Sequence, residues 1–262
     1  MKRPYTEDEI LTFLKNNTTE KKLRYLYREP FDNEISESTF INNDEPVLDI
    51  KPEIKQYEYI TNWLLNNNIK ELFAKNNYFI DEKRKDSYKM ESHSKLTEER
   101  EAQLKEKKLS EKLFAQKLKF IIKKLDILGN IIDYETPCNK TTHDGAGKVD
   151  LLAYNENENI LSIIELKQED NSETMLRAIL EISTYFKQLN LDCLKKCFTE
   201  DGVNENSEVK KVVLIFKNSP LYDQYKETNS RLKELAQALE VDILTLEDVN
   251  GEGNIYNVEK VI

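Results

Sequence analysis

The chain has 262 residues, 39% of them hydrophobic and 34% charged, with a formal net charge of -10. That length can bury a sizeable core in one large domain or two small ones, and the hydrophobic share excludes a disordered chain. The acidic balance argues against a simple nucleic-acid coating protein, which would neutralise phosphates with Lys and Arg, but it leaves room for proteins whose basic groups are local.

Six glycines and six prolines are too few for a loop-rich all-β fold. Met1-Lys2-Arg3-Pro4 is followed by acidic residues and no apolar h-region, so no signal peptide is expected. No stretch approaches the roughly 20 apolar residues of a membrane span, and a cytoplasmic protein without membrane contact is expected. The cysteines, Cys138, Cys193 and Cys197, are odd in number and lack a framework spacing, which points to free thiols in a reducing compartment. Cys193 and Cys197 lie one helical turn apart, but with only His93 and His143 to add, a four-ligand zinc site is poorly supplied.

In chain order, Thr6 and Glu9 form a capping-box pattern ahead of Ile10, Leu11, Phe13 and Leu14, which predicts a first helix. Pro52 is read as the start of a second, carrying Ile54, Tyr57, Ile60, Trp63 and Leu64, and Ile69, Leu72 and Phe73 as a short third. Residues 81–108 are almost wholly polar and read as a solvated linker or exposed helix. The organisation expected is a mainly helical N-terminal region, 1–90, of unassigned role, followed by a second domain, 91–262.

From Leu109 the pattern becomes orderly. Phe114, Leu118, Ile121, Ile122 and Leu125 recur at helical spacing, and Gly129 ends that helix or the turn after it. Lys117, Lys119, Lys123 and Lys124 on this helix read as its solvated face. Ile131, Ile132 and Tyr134 suggest a strand, Pro137 to Gly147 a turn-rich segment, and Val149, Leu151 and Leu152 a second strand. Asn155 to Asn159 is a hairpin-type turn, and Ile160 to Lys167 is apolar enough for a central buried strand. A helix over 172–189, a buried strand at Val212 to Phe216, a helix from Leu221 to Leu239, a strand from Val241 to Leu246 and an edge strand at 255–261 complete a mixed α/β, or α+β, chain with a central sheet.

The residues that carry chemistry are Gly147-Lys148-Val149-Asp150 and, fifteen positions after the Asp, Glu165-Leu166-Lys167. Glu165 and Lys167 are two apart on a strand and so share a face. A carboxylate and an ammonium ending an apolar strand are costly to bury without a purpose. With Asp150 on the neighbouring strand, two carboxylates and the backbone carbonyl of Leu166 make an oxygen site for Mg²⁺ or Mn²⁺. A metal there would polarise a phosphodiester and acidify a bound water, while Lys167 orients that water or stabilises charge on the phosphate. No glycine-rich phosphate loop of an NTP-driven motor is present.

This pattern resembles the PD-(D/E)XK nuclease superfamily, with its restriction-endonuclease-like core of helix, three strands, helix and strand. Asp150 matches the first acid, Glu165 the second and Lys167 the lysine; Val149 stands where the family's Pro would be. The resemblance covers roughly 109–246. It implies a central mixed sheet flanked by helices in the order α-β-β-β-α-β, and hydrolysis of DNA, or else RNA, leaving a 5′-phosphate. It also implies a first-helix glutamate completing the metal shell, for which Glu111 is the candidate and Glu106 the fallback. Polar groups on the helix after the lysine commonly reach the cleft in such enzymes, and Arg177, Glu181 and Tyr185, at spacings of four, form such a line, with Glu181 able to pair with Arg177. His143 and Lys148 are further candidates for substrate contact. Many such nucleases act as homodimers, though no residue here marks a dimer face. The competing expectation is a module that keeps the fold without turnover.

Overall fold

The computed structural model describes residues 3–18, 40–75, 84, 86–89, 127–138, 147–227, 230–248 and 256–261. The expected helix from Leu109 and the polar stretch before it lie outside the described residues, apart from 84 and 86–89.

Helix α1 (Glu7–Asn17) starts at the expected capping box. The Glu9 N–H donates to the Thr6 hydroxyl at 3.3 Å, and the Thr6 N–H donates to the Glu9 carboxylate at 2.8 Å. Its residues Ile10, Phe13 and Leu14 are buried. Helix α2 (Gln56–Asn66) begins four residues later than the position of Pro52 suggested. The chain before it doubles back, the Val47 N–H donating to the Ile54 carbonyl and the Gln56 N–H to the Glu45 carbonyl, each at 3.0 Å. The Ile54 carbonyl is thereby committed to Val47 and is not free to accept an intrahelical bond, so the helix starts after it. Helix α3 (Ile69–Lys75) follows as expected.

Six strands form one mixed sheet: β1 (Asn130–Pro137), β2 (Lys148–Asn155), β3 (Ile160–Leu166), β4 (Glu208–Phe216), β5 (Val241–Asp248) and β6 (Tyr256–Lys260). Their order across the sheet is their order in the chain. The first three are antiparallel, β3, β4 and β5 are parallel, and β6 closes an edge antiparallel to β5. The β2–β3 turn is short because the Asn155 side chain accepts from the Glu158 N–H at 3.1 Å and Asn159 takes a left-handed φ of 54°, which asparagine tolerates.

Parallel neighbours require crossovers. Between β3 and β4 the chain passes through α4 (Met175–Gln188) and α5 (Leu191–Cys197); between β4 and β5 it passes through α6 (Pro220–Lys226) and α7 (Leu232–Ala238). The single helix expected from Leu221 to Leu239 is instead two helices, and α5 lies in a stretch for which the sequence pattern predicts no element. The chain is thus α+β, with a six-stranded mixed sheet flanked by helices. No helix among the described residues is long and apolar enough to cross a membrane.

Every residue of β3 is buried, which is why it reads as a continuous apolar run. Leu161 and Ile163 face the helix layer with Leu152, Ile179 and Ile182, and Ile164 and Leu166 belong to a second cluster with Leu151, Val212 and Leu214. The N-terminal helices add Ile10, Phe13, Tyr57, Ile60 and Leu64 to the first cluster, so one apolar core runs from α1 to α7. Polar contacts reinforce that packing. The Tyr57 hydroxyl donates to Glu227 at 2.8 Å, and Lys55 pairs with the same carboxylate at 3.0 Å. The start of α4 is gripped as well: the Thr174 N–H donates to Asn42 at 3.1 Å and its hydroxyl to the Ile41 carbonyl at 2.8 Å. The N-terminal region therefore fixes the helix that lies over the candidate site.

Gly129 enters β1 with φ +71°, and a Cβ there would lie 2.1 Å from the Tyr154 carbonyl oxygen. Gly129→Ala is expected to cost about 1–3 kcal/mol from backbone strain, with the steric clash in addition. Urea denaturation measures it; an unchanged midpoint would show that β1 can shift to admit a methyl group.

Candidate active site

The β2–β3 hairpin pairs Leu152 with Ile163 and Leu151 with Ile164. One further step of that register sets Asp150 opposite Glu165, on the face covered by α4. The Asp150 carboxylate accepts the Leu166 N–H at 2.8 Å. Lys167 extends the ladder, its N–H donating to the Leu214 carbonyl at 2.9 Å, and its side chain returns to the face of Glu165. Antiparallel pairing on one side and parallel pairing on the other thus bring the three residues to one place.

Helix α4 supplies the roof. Thr174 caps it by accepting the Arg177 N–H, and the row Arg177, Glu181 and Tyr185 descends over the strand end. Lys167 Nζ lies 2.8 Å from Glu165 Oε1 and 2.9 Å from Glu181 Oε2, and it also pairs with Glu173. The Tyr185 hydroxyl donates to Glu181 Oε1 at 2.8 Å. Arg177 stands 3.3 Å from Glu173 and only loosely, at 3.8 Å, from Glu181. Glu165, Lys167 and Glu181 are each less than a tenth exposed.

This cluster is unbalanced. Asp150, Glu165, Glu173 and Glu181 face two cations, Lys167 and Arg177, so two negative charges are in excess when all the acids are ionised. Glu165 Oε2 is buried and has no hydrogen-bond partner among the described residues. Burial raises the Glu165 carboxyl well above its usual range, and the charges of Asp150 and Glu181 add to the effect. Burial likewise pushes Asp150 up to about 7, against the Leu166 N–H and Lys167, which lower it. Burial works against charge on Lys167 too, but Glu165, Glu181 and Glu173 outweigh it and hold the ammonium well above its usual range. Glu181 is buried, yet Lys167 and Arg177 keep it below the ordinary glutamate value.

A divalent cation suits this arrangement in two respects: the surplus negative charge, and an orphaned buried carboxylate oxygen beside a second carboxylate. In a third respect the fit is incomplete. Among the described residues no group of three His, Cys, Asp or Glu converges in a metal-binding geometry, so Asp150 and Glu165 would need a backbone carbonyl such as that of Leu166, and waters, to complete a shell.

Of the residues singled out from the sequence, the fold brings together Asp150, Glu165, Lys167, Arg177, Glu181 and Tyr185. The ion pair expected between Arg177 and Glu181 is subordinate, since the main cation for Glu181 is Lys167. Lys148 is exposed and pairs with Glu135 at 3.1 Å. His143, Glu111 and Glu106 lie outside the described residues. One contributor, Glu173, and one contact, that of Gly147 with Tyr185, do not follow from the sequence reading. Glu173 extends the Arg177–Glu181–Tyr185 row by one turn, and its i,i+4 spacing to Arg177 was the available signal. Gly147 has its α-carbon against Tyr185, where a Cβ would lie 2.0 Å from the ring, and no local pattern announces that long-range contact.

Comparison of the chain with protein-family models, with curated proteins and with solved structures finds no match.

Proposed function

We propose that this chain is a metal-dependent nuclease with a restriction-endonuclease-like core, hydrolysing phosphodiester bonds of DNA in preference to RNA. The observation that carries this reading is the pairing of Asp150 with a buried, partly unsatisfied Glu165 at adjacent strand ends, with Lys167 on the same face. The order β1, β2, β3, α4, β4, antiparallel within the first three strands and parallel to the fourth, agrees with that core. Asp150, Glu165 and the Leu166 carbonyl would hold Mg²⁺ or Mn²⁺, which supplies a Lewis acid and an acidified water when bound. Lys167 stabilises charge that develops on the phosphoryl oxygens as water attacks phosphorus and the P–O bond to the leaving strand breaks. Glu181, tied to Tyr185 and Lys167, holds that ammonium in position.

The test is incubation with Mg²⁺ or Mn²⁺ and a panel of linear, circular, single-stranded and branched DNA, plus RNA. Metal-dependent cleavage that disappears in Glu165→Gln is the expected result. Cleavage retained at the wild-type rate in that variant would overturn the assignment.

One observation favours a second reading, an inactive binding module of the same fold. An ammonium has three N–H donors, and Lys167 faces three carboxylates, Glu165, Glu173 and Glu181. Calorimetry separates the two readings, because the inactive module would bind neither Mg²⁺ nor Mn²⁺ through Asp150 and Glu165.

A further inference from the structure

Helix α4 has a second polar flank. At about 100° per residue, Ser183 and Lys187 lie roughly opposite the Glu181 row, with the apolar stripe of Ile179, Ile182 and Phe186 between them. Beside that flank is a cavity of about 130 Å³ lined by Lys70 and Phe73 of α3, Ser183 and Lys187 of α4, Lys211 of β4 and Glu240 of the α7–β5 turn, among others. Since a water occupies about 30 Å³ in the liquid, a space of this size admits one tetrahedral oxyanion with some water.

Lys211 is the residue that demands an explanation. On β4 the alternate positions Val209, Lys211, Val213 and Ile215 face the helix layer, and the other three pack in or against the apolar core. Placing an ammonium in such a row is costly without a partner. Its Nζ lies 4.8 Å from the centroid of the Phe186 ring, and no carboxylate pairs with it among the described residues. Lys187 is likewise without a paired acid there, and Lys70 meets Glu240 at 3.5 Å with both side chains well exposed. Three cations from three separate elements thus converge against one acid. Burial lowers the Lys211 amine from its ordinary range, and the charges of Lys187 and Lys70 push the same way, against Glu240. An anion would relieve both effects.

We infer that this cavity is a binding site for a phosphate-class oxyanion, held by Lys211 and Lys187 at its walls and Lys70 at its rim. It stands apart from the Asp150–Glu165 cluster and does not depend on the nuclease reading. Recognition is by charge-assisted hydrogen bonds from three ammonium groups, and it suits a free phosphate or a phosphate of a nucleic-acid backbone alike.

The experiment uses the full chain in a phosphate-free buffer containing EDTA, so that no turnover occurs. Inorganic phosphate is titrated calorimetrically into wild type, Lys211→Met and Lys187→Gln, with Lys51→Gln, an exposed lysine elsewhere, as the charge control. A short duplex is titrated in parallel. Circular dichroism and melting establish that each variant is folded; Lys211→Met keeps the side-chain length and replaces the amine with an apolar end. Saturable phosphate binding, weakened about tenfold or more by Lys211→Met and by Lys187→Gln but not by Lys51→Gln, is the expected result. If duplex binding alone shows that pattern, the site is still supported and its phosphate is that of a nucleic-acid backbone. If neither titrant responds to Lys211→Met and Lys187→Gln more than to Lys51→Gln, the site is overturned and Lys211 is a lysine accommodated by Phe186 and solvent.

Discussion

Replacing Lys167 by alanine is expected to abolish cleavage and, separately, to destabilise the fold by about 3–5 kcal/mol, the cost of leaving buried charges without their partner. The second effect follows from geometry. Lys167 is the common cation of Glu165, Glu173 and Glu181, and without it only Arg177 remains to balance the acids. Glu181, now held below its ordinary value by Lys167 and Arg177 against burial, would lose its principal cation and shift upward. A folded-state carboxyl raised above its unfolded value contributes stability below the unfolded value and loses it as pH rises through the folded one. The deficit of Lys167→Ala should therefore be smaller near about pH 5 than near about pH 8. Urea denaturation at both pH values measures it. Adding Glu165→Gln to Lys167→Ala should recover part of the stability and none of the activity. A Lys167→Ala protein as stable as wild type would mean that the cluster relaxes into solvent once the lysine is gone, and one that still cleaves would remove Lys167 from the chemistry.

That double effect explains how far the site was legible in the sequence. Glu165 and Lys167 were readable because a strand with both faces covered is apolar throughout, so two charges two residues apart at its end stand out. Asp150 was readable once the Asn155–Asn159 turn fixed the hairpin, because turn length sets register and register sets which residues oppose Glu165. The helical row of Arg177, Glu181 and Tyr185 was readable as a row, but its partners were not. Helical spacing reports neighbours on the same helix and pairs Arg177 with Glu181; the main partner of Glu181 is Lys167, the residue after β3, fourteen positions away. Gly147 against Tyr185 and Asn42 on the Thr174 cap are contacts between distant segments, which no local period encodes.

The same limit applies to the fold. Strand positions followed from apolar runs and turn residues, and β6 lies at an edge of the sheet, as expected for 255–261. Helix α5 escaped because its seven residues are too short to establish a 3.6-residue period, although Asn190 caps it by accepting the Cys193 N–H. Helices α6 and α7 were merged because the break between them carries no glycine or proline. What ends α6 there includes a tertiary contact: Glu227, just past its last residue, turns toward Lys55 and Tyr57 of the N-terminal region.

In the absence of divalent cations the protein is expected to lose stability as pH rises from about 5 to about 8, and Mg²⁺ is expected to restore it at the upper end. Asp150 carries the sign. Its folded-state value of about 7 lies above the ordinary 3.8, because burial, Glu181 and Glu135 outweigh the Leu166 N–H and Lys167. Glu165 is raised in the same direction by burial and by Asp150. Both favour the protonated acid in the folded state, so their contribution is full below about pH 4, the unfolded carboxylate range, and is lost as pH climbs through about 7. A shift of this size corresponds to a few kcal/mol at most, at about 1.4 kcal/mol per unit. Saturating Mg²⁺ at a hundred times its dissociation constant would return about 2.7 kcal/mol. Glu165→Gln separates the two halves of the argument. It removes one of two facing carboxylates, so the metal-free variant should melt above wild type near about pH 8 and gain nothing from Mg²⁺. Melting curves in EDTA and in Mg²⁺ at both pH values decide the matter. If the Mg²⁺ increment at high pH is missing in wild type, Asp150 and Glu165 are a proton-sharing structural pair and the nuclease reading fails with them. If it is present in wild type and absent in Glu165→Gln, the surplus charge of this buried cluster is matched by a cation.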